Sequence, residues 1–235
     1  MAAFPGFPAE GLKFLSALAR NNRREWFQPR KHIYDEQVKA PMAEVVTALN
    51  SEMMRFAPDY VNEPAKAIYR IYRDTRFSKD KTPYKTHIAA IFPRRGLEKH
   101  GGGGLYFSVS AKEIEVAGGV YMPGPEALLA IRTHLSEHYE EFRRIIGAKK
   151  LRALMGEMHG DQLSRVPKGF PSDHPAADML RYKQWLVYVM LDPKLATTPK
   201  LFAEVRQRFE AMMPFVDFLN RPLVRVSKRR TELFV

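Results

Sequence analysis

A block of strand-like segments in the middle of the chain constrains the fold most. Within residues 105–110, Leu105, Phe107 and Val109 alternate with Tyr and Ser residues, which is the period of a strand with one buried face. A short turn leads from there into residues 114–120, a second strand-like segment. The spacing predicts that these two segments pair as an antiparallel hairpin.

Three more segments, residues 67–72, 84–92 and 185–191, are rich in the β-branched and aromatic residues that are typical of strands. The last of them is apolar throughout, which predicts a buried strand. Apolar residues recur at helical spacing near the N-terminus, within 126–146 and after Pro199. Mostly consecutive strands between helices predict an α+β fold, with a central, mainly antiparallel sheet of about five strands flanked by N-terminal, middle and C-terminal helices.

Composition narrows the class of protein further. The 235 residues contain no internal repeat and no linker rich in Gly, Ser or Pro, so we predict a single domain, residues 1–235. The sequence has no cysteine, which excludes disulfides, thiol nucleophiles and cysteine-bound metals. Because the apolar runs are short and the N-terminus has no basic leader, we expect a cytoplasmic protein with no membrane partner.

Positive charge is concentrated in two segments of the chain. The formal net charge is +12. Residues 66–99 hold ten basic and three acidic residues, and residues 221–235 hold five basic residues and one acidic residue. Within the second segment, the run 221–230 alternates cations with apolar residues, which indicates an edge strand protected by charge or a tail that contacts nucleic acid. Such local positive potential attracts phosphates, nucleic acids and acidic small molecules.

The densest group of charges is the segment 70–87, which reads RIYRDTRFSKDKTPYKTH. Arginine binds a carboxylate or phosphate through two parallel hydrogen bonds, and lysine adds a point charge. The predicted ligand-binding residues of this segment are Arg70, Arg73, Arg76, Lys79, Lys81, Tyr84 and Lys85. Lys168 joins them from a loop rich in Pro and Gly that either folds over the site as a lid or stays an ordered surface loop.

Three groups in the same segment are candidates for proton transfer, namely Asp74, Asp80 and His87. The two aspartates can instead hold the arginines in a structural ion-pair network. Buried pairs contribute little stability, however, because desolvation cancels much of their attraction. Six cations against two aspartates also leave four charges without a partner, which favours an anion site.

The same segment resembles the signature R-x-x-R-D-x-R-F-x-x-x-K-x-x-Y of a bacterial family of conserved hypothetical proteins, domain of unknown function 2461. All of the signature residues are present between Arg70 and Tyr84. The stretches N-N-R-R-E-W-F, G-G-V-Y-M-P and P-K-G-F-P-S-D-H-P are also similar, so the resemblance covers essentially the whole chain. It implies a full-length, single-domain member, and because the family has no assigned activity it implies no mechanism.

Two weaker patterns lie outside this segment. His134, Glu137 and His138 match the H-x-x-E-H pattern of inverted zincins, but His138 also falls on an apolar helix stripe and no downstream acid stands out as a third ligand. We therefore predict no metal site and no cofactor. The glycines 101–104 lead into a strand and not a helix, so we expect a flexible connection there and not a phosphate loop.

Three functions fit these residues. The first is binding, with or without turnover, of a small anionic ligand that carries phosphate or carboxylate. The second is a nucleic-acid-binding module, because aromatic residues are interleaved with the cations. The third is a non-catalytic scaffold that docks an acidic partner. Convergence of Arg70, Arg73, Arg76 and Lys81 in one cleft would favour the first.

Overall fold

The computed structural model describes the backbone of residues 4–233 and the side chains of residues 4–224. Its centre is an antiparallel sheet whose four strands lie side by side in chain order. The strands are β1 (His87–Pro93), β2 (Gly104–Ser110), β3 (Ile114–Val120) and β4 (Trp185–Leu191). The predicted hairpin is confirmed, since Val109 pairs with Ile114 and Phe107 with Val116.

Helices surround this sheet, which confirms the predicted α+β class. Before the sheet come α1 (Ala9–Arg20), α2 (Arg24–Phe27), α3 (Lys31–Tyr34), α4 (Ala40–Phe56) and α5 (Pro64–Ala67). A π turn (Asp35–Lys39) and two 3₁₀ turns (Gln28–Arg30 and Pro58–Tyr60) lie among them. These elements contribute Phe14, Phe27, Val45 and Leu49 to the hydrophobic core.

The remaining helices follow β3. They are α6 (Pro125–Glu137), α7 (Tyr139–Ile146), α8 (Lys149–Met155), α9 (Ala177–Leu180), a 3₁₀ turn (Pro193–Thr197) and α10 (Lys200–Leu233). The helix predicted over 126–146 is two helices, because His138 leaves the helical conformation at φ −128° and ψ 35°. Within the described part of the chain, no helix is both long and apolar enough to cross a membrane.

Helix α10 covers one face of the sheet. The ring of Phe209 meets the rings of Phe92 and Phe107 edge-on, at centroid distances of 5.3 and 6.3 Å. Gly118 permits this close approach, because a Cβ atom at that position would lie 2.8 Å from the sulfur of Met212. The sheet therefore has a buried inner face, which packs on α10, and an outer face on the opposite side.

The fifth predicted strand, residues 67–72, is not part of the sheet. Only the isolated bridges Ile68–Ala90 and Tyr72–Tyr84 join it to the segment that leads into β1. Between the two bridges, one segment advances four residues, from Ile68 to Tyr72, and the other advances six, from Tyr84 to Ala90. Regular pairing needs equal lengths, and this mismatch prevents a continuous ladder.

The predicted edge strand at 221–230 is also wrong, because the backbone of this run belongs to α10. The apolar spacing of α10 continues through Leu219 and Leu223, which are buried against the core. Burial of this stripe carries the helix past Arg221. Arg221 itself pairs with Glu141 of α7 at 2.7 Å, whereas the side chains from residue 225 onward lie outside the described part.

Candidate functional site

The outer face of the sheet carries a cleft. Direct cross-strand partners share a face of an antiparallel sheet, and Tyr106, Ala117 and Tyr188 are consecutive partners across β2, β3 and β4. Their row faces away from α10 and borders a cavity of about 520 Å³. We call this cavity the sheet-face cleft; its lining includes Tyr69, Lys99, His100, Tyr106, Glu115, Ala117, Gly119 and Tyr188.

The cleft corrects the prediction that residues 185–191 form a buried strand. Trp185 and Val187 do pack into the core, but Tyr188 and Met190 are 38% and 47% exposed. Strand β4 is the last strand of the sheet. Its side chains alternate between the two faces, so only every second residue reaches the core.

Two lysines meet one tyrosine at one end of the cleft. The ammonium groups of Lys85 and Lys99 lie over the ring of Tyr69, 4.7 and 4.6 Å from its centroid. The same ring stacks on His100 at 6.0 Å and contacts the Tyr106 ring at 6.4 Å. Aromatic faces attract cations, so Tyr69 holds both lysines together despite their mutual repulsion.

Burial and like charge perturb both lysines. The pKa of Lys85 is lowered by burial and then by the neighbouring charges of Arg70 and Lys99. Burial also lowers the pKa of Lys99, and it raises the pKa of Tyr69 to about 12. The charges that act on Lys85 are both positive, and Lys99 donates a hydrogen bond to the Lys66 carbonyl at 3.1 Å. Among the described residues, neither ammonium group forms an ion pair with a carboxylate, so this end of the cleft keeps its positive charge.

Two groups suited to proton transfer have shifted pKa values: Glu115, which lines the cleft, and His87 of β1, which is not among the lining residues. Burial, and then the charge of Glu113, raises the pKa of Glu115. Burial and the charge of Lys85 lower the pKa of His87, and Glu113 opposes this shift. Perturbed groups of this kind cluster at functional sites, and His87 is one of the three predicted proton carriers.

A buried amide supports the loop between β1 and β2, which borders the cleft. The Asn220 side chain accepts a hydrogen bond from the Gly103 N–H at 2.7 Å and donates to the Gly103 carbonyl at 3.0 Å. Its NH₂ group also donates to the Tyr60 hydroxyl at 2.9 Å. Within the glycines 101–104, where a flexible connection is predicted, Asn220 of α10 thus holds Gly103 on both sides of its backbone, while the flexibility of this connection stays a prediction.

The predicted ligand-binding loop is organised differently from the cleft. We call residues 73–82 the motif loop. Arg73 pairs with Asp80 at 2.6 Å and also bonds Thr82, while Arg76 bonds Asp74 at 3.0 and 2.7 Å. These contacts, together with the Thr82 and Arg76 backbone N–H groups, lower the pKa of each aspartate to about 2.

The predicted cations do not converge on one point. Lys81 donates to the Thr75 carbonyl at 2.9 Å, which leaves Arg73, Arg76 and Lys81 each bound within the motif loop. Lys79 is exposed. Arg70 is also exposed, yet its charge acts both on Lys85 of the cleft and on Asp74 of the loop.

Two predicted residues lie elsewhere in the fold. The Tyr84 side chain is buried in the core, where its ring stacks on Phe27 at 4.1 Å. Lys168 is exposed, and the segment that follows it contacts α7 through the Tyr139–His174 ring pair. Of the predicted residues, the structure brings Lys85 to the edge of the cleft, where its ammonium group lies over the Tyr69 ring, with Arg70 in electrostatic reach.

Sequence reasoning missed most of the residues that line the cleft. They are Tyr69, Lys99, His100, Tyr106, Glu115 and Tyr188. The strict alternation of residues 105–110 already places Tyr106 on the face opposite the core. Joining it with Tyr188, 82 positions later in the chain, requires the strand register, which the alternation does not contain.

The H-x-x-E-H residues do meet in space. Ligand atoms of His134, Glu137 and His138 all lie within 4.8 Å of one another. The two imidazole rings are 4.6 Å apart, and His134 also packs on Phe218 of α10. This geometry follows from one helical turn, and the absence of a metal site stays a prediction.

The fold and the cleft define a class of α+β protein in which helices cover one face of an antiparallel meander and a cleft lies on the other. Residues 10–218 match the model of a family described as conserved hypothetical protein (DUF2461). The chain therefore belongs to that family, as the resemblance of its motifs indicates. Neither curated proteins nor solved structures give a significant match.

Proposed function

We propose that the protein binds a small anionic ligand, bearing phosphate or carboxylate, at the sheet-face cleft. One observation carries the proposal. The ammonium groups of Lys85 and Lys99 are partly buried around Tyr69, and the charges that act on Lys85 are cations only. Lys99 has one hydrogen-bond partner, the neutral Lys66 carbonyl, at 3.1 Å. Partly desolvated positive charge without a carboxylate partner is costly, and an anionic ligand would offset part of that cost.

The motif loop supports a different role for its own cations. Arg73 and Arg76 each have an aspartate partner, so an incoming anion would compete with a carboxylate already in place. We infer that the loop shapes the positive field near the cleft, and that Arg70 adds to it. If the ligand is also turned over, we infer that Glu115, which lines the cleft, is the first candidate for proton transfer and that His87 is the second.

Binding of single-stranded nucleic acid is the second candidate. The open sheet face that carries Tyr106 and Tyr188 favours it, because bases stack on exposed aromatic rings. Its signature is an affinity that falls steeply with salt concentration, in proportion to the phosphates contacted. We also infer a cytoplasmic location from the cysteine-free sequence.

A thermal-shift titration tests the first proposal. Inorganic phosphate and citrate should raise the Tm of the protein, by about 5–10 °C for a ligand at 100 times its Kd. The double variant Lys85→Met/Lys99→Met should lose this shift. The matched double variant Lys79→Met/Lys81→Met, which removes the same charge from the motif loop, should keep it.

Two results would overturn the proposal. The first is that no anion stabilises the wild-type protein. The second is that the motif-loop variant loses the shift while the cleft variant keeps it, which would assign anion binding to the loop.

A further inference from the structure

The sheet-face cleft has two aromatic walls, which lie on strands separated by one intervening strand. Tyr106 stands on β2 and Tyr188 on β4, with Ala117 of β3 between them in the same row. Neighbouring strands lie about 4.8 Å apart, so the two tyrosine backbones are separated by about 10 Å. A flat ring stacked on both sides occupies roughly 7 Å. The gap is therefore wide enough for one aromatic ring.

Each wall is supported on the side away from the gap. The Tyr106 ring contacts Tyr69 at 6.4 Å, and the Tyr188 ring contacts His159 at 4.6 Å. His159 is held in turn by two backbone hydrogen bonds to Leu186, at 2.7 and 2.9 Å. Both tyrosines are thus braced from outside and line the same cavity, which leaves the space above Ala117 between them.

The floor of the gap is made of small residues. Next to Ala117 on the outer face, Gly119 has φ +129°, and a Cβ atom there would lie 2.0 Å from the Trp185 carbonyl oxygen. Only glycine fits this backbone, and the position consequently has no side chain. A ligand ring can reach the sheet surface between the two tyrosines.

Polar groups flank the gap on two sides. Lys85 and Lys99 lie beyond Tyr106, around Tyr69. Glu115 stands two residues before Ala117 on β3 and so faces the same cleft. Its carboxylate can accept hydrogen bonds from ring amino or N–H groups. A ligand that uses all of these features joins a nitrogen-containing aromatic ring to an anionic group a few bonds away.

We infer that the ligand of the sheet-face cleft is a nucleotide unit, with its base between Tyr106 and Tyr188 and its phosphate at Lys85 and Lys99. This inference rests on the proposed anion binding and adds the base to it. The cavity of about 520 Å³ has the size of a small-molecule site. The ligand is accordingly a free nucleotide and not a stretch of single-stranded nucleic acid.

Calorimetric titration of the full chain with five probes separates the parts of this inference. The probes are inorganic phosphate, ribose 5-phosphate, adenosine, AMP and GMP. At least one of the two nucleotides should bind about 10-fold or more tightly than ribose 5-phosphate, because base stacking on aromatic rings adds to phosphate binding. If ribose 5-phosphate binds as tightly as both nucleotides, the base contributes nothing to binding. That result would overturn the nucleotide inference and leave the proposed anion binding intact. Failure of every phosphate-bearing probe would overturn phosphate binding at the cleft, and with it this inference.

Titration with a short single-stranded oligonucleotide tests whether the ligand is a free nucleotide or a stretch of nucleic acid. The oligonucleotide should bind no more tightly than the better mononucleotide. Affinity 10-fold higher, with a steep dependence on salt, would overturn the free nucleotide as the ligand.

Substitutions in the cleft test where the base of the nucleotide binds. Tyr188→Leu should weaken nucleotide binding about 10-fold and leave ribose 5-phosphate binding unchanged, since only the base contacts that ring. Ala117→Leu, which fills the gap, should do the same. The control Tyr72→Leu alters a partly exposed tyrosine that packs on Tyr84 outside the cleft and should change neither affinity. Equal nucleotide affinity in the wild-type, Tyr188→Leu and Ala117→Leu proteins would overturn the inference even if one variant folds poorly.

Discussion

The motif loop and the sheet-face cleft both carry positive charge, but the charge is paired with aspartates in the loop and partly buried without them at the cleft. Arg73 and Arg76 are neutralised by aspartates of their own loop at 2.6 and 2.7 Å. Lys85 and Lys99 share the ring of Tyr69 instead, and burial lowers the pKa of both. The density of cations in a sequence therefore does not locate an anion site. What indicates one is cationic charge that is partly buried and not paired with a carboxylate.

The two regions also differ in what supports them. The cleft lies on regular strands and beside a loop held by the buried side chain of Asn220. The motif loop is held by contacts among its own exposed residues, and Phe77 near its middle is 95% exposed. Sites on regular elements keep their geometry more closely than sites on loops, which again favours the cleft.

The largest expected effect comes from Tyr84, which lies between the two regions. Tyr84→Ala should lower the free energy of unfolding by about 3–5 kcal/mol, because it removes a buried ring stacked on Phe27. Urea denaturation measures this loss. Tyr84→Phe should retain most of the stability and all of the anion affinity. Loss of anion binding in Tyr84→Phe would instead show that the Tyr84 hydroxyl takes part in the binding site.

A second, smaller loss is expected at Asn220. Asn220→Ala leaves the N–H and carbonyl of Gly103 without their partner and should cost about 2–3 kcal/mol of unfolding free energy. Asn21→Ala, which removes one partly buried bond to the Ala17 carbonyl, should cost less than about 1 kcal/mol. Faster hydrogen exchange at Gly103 would accompany the first change. Equal losses in both variants would show that the cleft loop needs no special support.

A gain in stability is expected at Lys85. Because burial lowers its pKa in the folded state, the charged lysine opposes folding at neutral pH. The unfolded chain binds the proton more tightly, so this penalty is complete below the folded pKa and disappears as the pH rises toward 10.5. Lys85→Met should therefore raise the Tm of the ligand-free protein at pH 7 by roughly 1–2 °C.

The control for this prediction is Lys79→Met, which should leave the Tm unchanged since Lys79 is exposed. Saturating phosphate should reverse the order and make the wild-type protein the more stable one. A Tm that falls in Lys85→Met without ligand would mean that the lysine has a stabilising partner.

The smallest effect is expected in the motif loop. The pKa of Asp80 is lowered to about 2 in the folded state by the Thr82 N–H and by Arg73. Its stabilising contribution is therefore complete above the unfolded pKa of about 3.9 and is lost as the pH falls toward 2. Asp80→Asn should lower the Tm slightly at pH 7, and less so at pH 2. High salt should reduce the difference, whereas a large loss at pH 7 would indicate a buried role.

Part of the site could be predicted from the sequence because its residues are neighbours in the chain. Lys85 belongs to the charged segment 70–87, and its ammonium group lies over Tyr69 at the edge of the cleft. Tyr69 adjoins the same segment, but nothing local shows that Lys99 also lies over its ring. That contact arises because β1 separates the two lysines and the chain then returns past Tyr69.

The fold could be predicted to a similar extent. Alternation over residues 105–110 and the turn after them determine the hairpin, because both are local properties of the chain. The prediction of a strand over 67–72 was wrong because a strand there would have to pair regularly with residues 84–90, and the two segments differ in length between their bridges. The end of α10 was missed because Leu223, beyond Arg221, is buried by tertiary packing, which local propensity does not show.

The α+β class, the hairpin, the family and the segment in which positive charge is concentrated all follow from the sequence alone. All of these depend on periodicity, composition and motifs within short stretches of chain. Which cations are neutralised and which are partly buried is set by the tertiary fold. The reason is physical: the pairing of charges and the loss of water around them depend on distances between residues far apart in the chain, such as Lys99 and Tyr69.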